Sequence, residues 1–212
     1  MKFPAKLLLF GEHTVNLGSQ ALAIPLLRFG GSFIFLPQEN RDELKERQMD
    51  LPEFADFLIQ LRAQGNLPTS FQAEKFKTDL AAGLVFESDI PRGYGAGSSG
   101  ALVAAIFHRY GKRGGEGLGG LKQLFARMES YFHGTSSGTD PLVCFLQQPV
   151  VLSKTTVTES NFSSLTGQFF LVDTGIQRQA TPFIEYFLAQ NESAAFREKC
   201  STMLLPAVEK GM

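Results

Sequence analysis

The chain has 212 residues, 43% of them apolar, with twenty Phe and no Trp. That is one large globular domain or two small ones, with ample core. A formal net charge of −1 gives no electrostatic reason to expect nucleic acid or an anionic membrane as partner.

The start, Met1 to Phe10, looks faintly like a signal peptide. Its apolar run stops at Gly11-Glu12-His13, too short for an h-region, and no small-residue cleavage site follows. No later stretch is long enough to span a bilayer. Residues 5–10 read as a buried strand apart from Lys6, and residues 11–18 as a turn-rich segment. Ala21 to Leu27 is a second apolar run. Phe29 to Leu36 reads as another strand with a bulge at Gly30-Gly31. Residues 41–63 mix charge with Leu, Phe and Ile at helical spacing, and a second helix pattern covers about 70–86.

Residues 91–106 follow, Pro-Arg-Gly-Tyr-Gly-Ala-Gly-Ser-Ser-Gly-Ala-Leu-Val-Ala-Ala-Ile. Gly93, Gly95, Gly97 and Gly100 enclose the hydroxyls of Ser98 and Ser99, and Ala101 to Phe107 continues as a helix. A Gly-rich loop feeding a helix N-terminus gathers free backbone N–H groups and the positive end of a helix dipole, which together bind phosphate. Glycines also let an anion approach without meeting a Cβ. A tight turn or a close helix–strand crossing is the plain alternative. Four glycines with two serines at a helix start favour the anion site.

Gly111 to Gly120 carries six glycines and reads as a flexible connector. Leu121 to His133 is amphipathic, with Leu121, Leu124, Phe125, Met128 and Phe132 at 3–4 spacing. A Gly/Ser turn, Gly134 to Pro141, leads into the buried run Leu142 to Leu146. Val150 to Thr158 and Phe169 to Asp173 look like strands, and Thr181 to Glu209 is helical in pattern. Cys144 and Cys200 lie far apart without metal-ligand spacing, so reduced thiols in the cytoplasm are expected. There is no internal repeat. Strands and helices interleave without strict alternation, which predicts an α+β fold.

Two motifs have rivals to answer. Residues 95–100 spell Gly-x-Gly-x-x-Gly, but Pro91-Arg92-Gly93 precedes them, and about 20 residues on lies the glycine connector rather than an acidic strand end. The dinucleotide reading is weak. Gly134-Thr135-Ser136-Ser137-Gly138 matches the Gly-x-Ser-x-Gly elbow of hydrolases. A helix precedes it rather than a strand, and His13, His108 and His133 all lie before Ser136, so that reading is discarded. Lys6, Glu12, His13, Glu129 and Asp140 are, singly, strand-end, cap or solvated charges. With a phosphate loop they supply what phosphoryl transfer asks for: a cation, magnesium ligands and a carboxylate for the acceptor hydroxyl.

Lys6-Leu-Leu-Leu-Phe-Gly11-Glu12-His13-Thr-Val15-Asn-Leu-Gly18 resembles the first motif of the mevalonate kinases, members of the GHMP kinase superfamily. Pro91 to Ala101 resembles the superfamily's ATP phosphate loop. His133-Gly134-Thr-Ser-Ser137-Gly138-Thr-Asp140 resembles the segment bearing its catalytic aspartate. The three motifs stand in the family's order and cover roughly residues 5–175. The resemblance implies a GHMP kinase-like two-domain α+β fold. Residues 1–165 would form a ribosomal-protein-S5-like N-terminal domain for ATP and substrate, and residues 166–212 a partial ferredoxin-like C-terminal domain.

It further implies ATP and Mg2+ as cofactors. Gly93, Gly95, Ala96, Gly97, Ser98, Ser99 and Gly100 would face the nucleotide, and Ser99 and Glu129 the magnesium. Asp140 would face the acceptor hydroxyl with Lys6 beside it, and Glu12, His13, Gly138 and Thr139 would fall near the substrate. The implied reaction is phosphorylation of the alcohol of a small carboxylate, mevalonate first, in isoprenoid precursor synthesis in the cytoplasm. The alternatives are another GHMP kinase, phosphomevalonate kinase-like, or a non-catalytic nucleotide-binding relic. The implied partner is a small molecule, with neither nucleic acid nor membrane, and a homodimer is left open. Two departures stand out. Gly100 occupies the place of the family's usual small alanine. No third Gly-rich motif follows Asp173-Thr174-Gly175, in a chain shorter than is usual for the family, so a truncated product or an atypical C-terminal half is expected.

Overall fold

The computed structural model describes residues 1–37, 41–153, 156–160, 170–172, 175–176 and 180–211. Strand β1 (Phe3–Phe10) and strand β2 (Ala21–Phe35) form a long antiparallel pair, joined by a 3-10 turn over Thr14–Leu17. Helices α1 (Arg41–Gln48), α2 (Leu51–Ala63) and α3 (Ala73–Ala81) lead to β3 (Leu84–Ser88). Then come α4 (Ser98–Tyr110), α5 (Gly117–His133) and α6 (Thr139–Leu146), two short strands β4 (Val150–Leu152) and β5 (Val157–Glu159), and helices α7 (Ala180–Gln190), α8 (Ala194–Lys199) and α9 (Leu205–Gly211). A π-helical turn over Cys200–Leu204 joins the last two.

The sheet is antiparallel throughout, and β2 is its spine. Ala23 pairs with Leu8 of β1 on one side and Val150 of β4 on the other; Gly31 likewise pairs with Phe3 of β1 and Ser88 of β3. Strands β3 and β4 therefore share one edge of β2 at opposite ends. Pro25, which has no amide hydrogen, faces Lys6 across the β1–β2 pair. The position tolerates it because Lys6 turns its own N–H away from β2, donating to the Ala96 carbonyl at 2.9 Å.

Helices α4 and α6 lie side by side on β1 and β2, and α5 packs across both. Small side chains make the close layer possible: Ala101, Ala104 and Ala105 of α4 meet Phe3 and Ala5 of β1 and Cys144 of α6 in a buried cluster. The larger core lies among α2, α3, α4 and α5, where Phe54, Leu58, Phe76, Phe107 and Phe125 are fully buried. In α2, Leu51, Phe54, Ala55 and Leu58 fall at the i, i+3, i+4, i+7 spacing that puts them on one inward face.

Four sequence expectations are corrected. The second helix does not run to 86: it stops at Ala81, Gly83 turns the chain at φ +102°, and Leu84–Ser88 pair with β2 as a strand. The apolar pattern of α3 continues unbroken into the strand, which hides the boundary. The runs at 21–27 and 29–36 are one strand, β2. Its irregularity lies over residues 27–29, just before the glycine pair rather than at it. Gly117–Gly120 form the first turn of α5 and not a connector. Of the expected strand at 169–173, Phe170, Leu171 and Val172 are in no strand and are exposed, and its two ends lie outside the described residues.

The C-terminal helices dock on the end of β1 and its turn. Phe187 stacks on His13 with ring centroids 5.2 Å apart, and Gly211 lies against the Phe10 ring. Much of their apolar surface is uncovered, with Phe183 60% and Tyr186 66% exposed. The expected domain boundary near residue 165 lies outside the described residues. Among the described residues no helix is long and apolar enough to cross a membrane.

Candidate active site

The loop before α4 owes its shape to three left-handed glycines, Gly93, Gly95 and Gly97, at φ +77°, +70° and +77°. The carbonyl of Ala96 accepts from the Lys6 amide and that of Gly97 from the Ala101 amide at 2.9 Å. Both carbonyls are thereby occupied within the protein, while α4 starts at Ser98 with its first-turn amides and positive dipole end at the loop.

This loop forms one wall of a cleft of about 760 Å³. Lys6, Glu12, Gly93, Gly95, Ala96, Gly97, Ser98, Ser99, Glu129 and Asp140 all line it, so ten positions singled out in the sequence converge from five separate segments. His133, Thr135, Ser136 and Ser137 add to the wall, and Pro182 and Ile184 of α7 close one side. The other four expected residues do not line the cleft. Gly100 is buried where α4 crosses α6, and a Cβ there would come within 2.8 Å of the Asp140 backbone. Gly100 thus serves a close helix–helix approach, not the helix–strand crossing weighed from the sequence, and it does not line the cleft. His13 has its ring stacked on Phe187, and its Nδ1 is buried without a hydrogen-bond partner. Gly138, at φ +71°, packs against the backbone of Lys122 and Ala126 on α5. Thr139 is buried, with its hydroxyl accepting from Ser137 at 3.0 Å.

Two polar clusters lie in the cleft. In the first, Lys6 Nζ is 2.9 Å from Asp140 Oδ1. The lysine reaches from the β1 strand below Gly97: a Cβ on Gly97 would stand 2.8 Å from Lys6 Cγ and 3.7 Å from Asp140 Oδ2. Gly97 is therefore needed for the approach of loop to ion pair, where the sequence suggested room for phosphate.

The second cluster centres on Glu129, which is only 4% exposed. Ser99 donates to its Oε1 at 3.0 Å and Ser136 to its Oε2 at 2.5 Å. Ser99 Oγ is also 3.2 Å from His133 Nε2. Burial pushes the Glu129 carboxyl up to about 7, the Asp140 charge adds to this, and the two serine bonds and Lys6 oppose it. Ser99 and Glu129 offer a neutral and an anionic oxygen 3.0 Å apart, a donor set that suits a hard cation. Among the described residues no group of three or more His, Cys, Asp or Glu could hold a metal by itself. Mg2+ commonly takes one or two protein oxygens and completes its shell with phosphate and water, so the pair fits that ion in the company of a nucleotide.

A second cavity of about 330 Å³ adjoins the loop on its other side, sharing Ser98, Ser99 and His133 with the cleft. Met49, Phe86, Ile90, Leu102 and Phe132 give it apolar walls, and Arg47 and Arg92 also line it.

His133 and Ser136 carry contacts that sequence reasoning did not assign. His133 had a usable signal: it sits four residues after Glu129 on one helix, hence on the same face. Ser136 had none, because a serine in a Gly/Ser turn looks the same whether or not it meets a buried carboxylate.

Residues 63–148 match the GHMP kinases N terminal domain family. No curated protein matches the chain by sequence. Among solved structures, the chain is similar to the L. major mevalonate kinase in complex with R-mevalonate, at 16% identity and a TM-score of 0.57, covering 99% of this chain and 69% of that one. It is also similar to the Methanococcus jannaschii mevalonate kinase, at 17% identity and a TM-score of 0.52, covering 93% of this chain and 68% of that one. At such identity the likeness is one of fold. The chain carries the GHMP kinase fold, as these mevalonate kinases do.

Proposed function

We propose that this chain, with the GHMP kinase fold as its framework, is an ATP- and Mg-dependent small-molecule kinase that phosphorylates the alcohol of a small carboxylate, mevalonate first. The observation that carries the reading is the placing of the Lys6–Asp140 pair, 2.9 Å apart, under the Gly97 end of the loop and in the same cleft as Ser99 and Glu129. A phosphate cradle, a metal-ligand pair and a carboxylate–ammonium couple facing one volume are the parts phosphoryl transfer requires.

Bound Mg-ATP supplies the transferable phosphoryl group and the charge neutralisation for it. The amides of the loop and of the first turn of α4 bind phosphate oxygens, and the apolar cavity lined by Phe86, Leu102 and Phe132 takes the base. Ser99 and Glu129 hold the metal. Asp140 accepts or orients the acceptor's hydroxyl proton, while Lys6, paired with it, polarises the alcohol. Glu12 lines the cleft from the β1–β2 turn, and in this reading it contacts the acceptor. Beyond the domain boundary expected near residue 165, α7 walls the cleft through Pro182 and Ile184.

The phosphomevalonate kinase-like alternative asks for an acceptor with two anionic groups. Among the described residues lining the cleft the only Lys or Arg is Lys6, already paired with Asp140, which favours an acceptor of lower charge. The relic alternative is disfavoured by the convergence of Lys6, Asp140, Ser99 and Glu129, since nucleotide binding alone gives no reason to keep the first pair. A coupled ADP-release assay over mevalonate, phosphomevalonate, homoserine and galactose tests the proposal. Turnover with mevalonate foremost is expected; ATP binding without turnover on any of them establishes the relic.

A further inference from the structure

Ser136 is the central serine of the Gly-x-Ser-x-Gly motif that the hydrolase reading leaves unexplained. It lines the cleft, and both of its hydrogen-bonding roles are engaged. The Gly138 amide donates to its Oγ at 2.9 Å, and its single proton goes to Glu129 Oε2 at 2.5 Å. The other carboxylate oxygen, Oε1, is left for Ser99 at 3.0 Å. We propose that Ser136 is a positioning residue that fixes the rotation of the Glu129 carboxylate, so that its Oε1 is presented to the metal beside Ser99.

The inference deepens the kinase reading and rests on it, through the metal-ligand role of Ser99 and Glu129. Glu129 is only 4% exposed, and the Ser136 hydroxyl is the protein donor bonded to its second oxygen and holds it in place. The serine is itself held. Its turn is pressed onto α5 at Gly138, where a Cβ would run into the Lys122 and Ala126 backbone, so the distance between turn and helix is set by backbone contact. Gly138 also caps α6, the helix that carries Asp140 two residues on. Ser136 therefore ties the metal carboxylate on α5 to the acceptor-facing carboxylate on α6.

The test uses Mn2+ as the probe, its affinity for the ADP complex of the full 212-residue chain read by electron paramagnetic resonance. Loss of an outer partner of a metal ligand commonly weakens the metal by about 10–100-fold, and Ser136→Ala is expected to fall in that range. ADP affinity without metal stays at the wild-type value. Ser136→Thr, which keeps the hydroxyl, restores Mn2+ binding, which a purely structural role of the turn does not require. Ser136→Cys, close in size but a poorer donor, repeats the alanine result in a turn of nearly native shape. Wild-type Mn2+ affinity in Ser136→Ala or Ser136→Cys overturns the inference. The Glu129→Gln variant then tells which premise failed: if it weakens Mn2+, only the role of Ser136 falls, and if it does not, the metal reading of the site falls with it.

Discussion

Lys6 Nζ and Asp140 Oδ1 stand 2.9 Å apart but are unequally covered, the lysine side chain 8% exposed and the aspartate 32%. The ammonium comes from inside the protein and the carboxylate meets it at the cleft wall. An ammonium so covered depends on its partner more than the partner depends on it, because only the aspartate keeps access to water.

Asp140→Asn and Lys6→Met should each lower turnover by about 10²–10⁴-fold while ATP affinity changes little, since neither residue is assigned to the nucleotide. The double variant should lose far less than the product of the single losses, because the two charges act on one another. The unequal burial adds an expectation on stability. Asp140→Asn leaves a buried ammonium uncompensated and should melt below Lys6→Met, which replaces it with an apolar chain. Paired kinetics and thermal melts of the three variants check this, and a near wild-type rate for Asp140→Asn would sink the mechanism.

Gly97→Ala places a methyl against Lys6 Cγ at a residue with φ +77°. The expected damage is to the Lys6–Asp140 couple, so kcat should fall more than nucleotide affinity. Gly100→Ala presses instead on the backbone at Asp140 and Pro141, with gaps of 2.8 and 2.9 Å, and should cost about 1–3 kcal/mol of stability as overpacking does. Calorimetric titration with Mg-ATP and denaturant unfolding separate the two effects. A Gly97→Ala variant that loses ATP binding first would return the residue to the phosphate cradle.

Glu129, raised to about 7 in the metal-free protein, makes stability depend on pH in a stated direction. Its carboxyl is easier to protonate folded than unfolded. The stabilisation from that proton is complete below the ordinary carboxylate value near 4.5 and is lost as pH rises through about 7. The loss amounts to a few kcal/mol at most. Glu129→Gln, neutral at every pH, should therefore melt above the metal-free wild type at pH 8 and show a flatter profile between pH 5 and pH 8. Identical profiles for the two proteins would show that Glu129 is not held in its neutral form.

Phe183 and Tyr186 on α7 are exposed, as are Phe170, Leu171 and Val172, and large apolar side chains left uncovered favour association. The chain should bind a hydrophobic dye and associate as its concentration rises. Phe183→Ser with Tyr186→Ser should reduce both, with little change in ATP affinity. Light scattering and dye fluorescence decide, and a monomer with no dye binding at high concentration would count against the expectation.

How much of this the chain revealed in advance follows from where each contact is encoded. The loop, its serines and the Gly/Ser turn before Asp140 were readable because their chemistry is local: glycines at 93, 95 and 97 announce the backbone angles they adopt. Lys6, Glu12 and Asp140 were grouped as charges fit for phosphoryl transfer and given their roles by resemblance, and the cleft brings them together from three segments. What stayed hidden is set by partners distant in the chain. Gly100 lies against α6 rather than a ligand, His13 is stacked on Phe187, and Ser136 meets Glu129 only because the turn folds back along α5. Strand β3 was misread for a different reason: Leu80, Leu84 and Val85 keep one apolar pattern across a helix end and a strand start, and only Gly83 marks the change.

In the kinase reading, the bond from the Lys6 amide to the Ala96 carbonyl bears on how fast a nucleotide is captured. It ties the loop at Ala96 to the outer edge of β1, so the loop should behave as a lip of the sheet and not as a flap. A lip of this kind needs no ordering before it receives phosphate. The Lys6 amide should exchange with deuterated water as slowly as those of the sheet interior, with or without ATP. Association should accordingly run at the ordinary rate for docking on a ready-made surface, with no lag from closure.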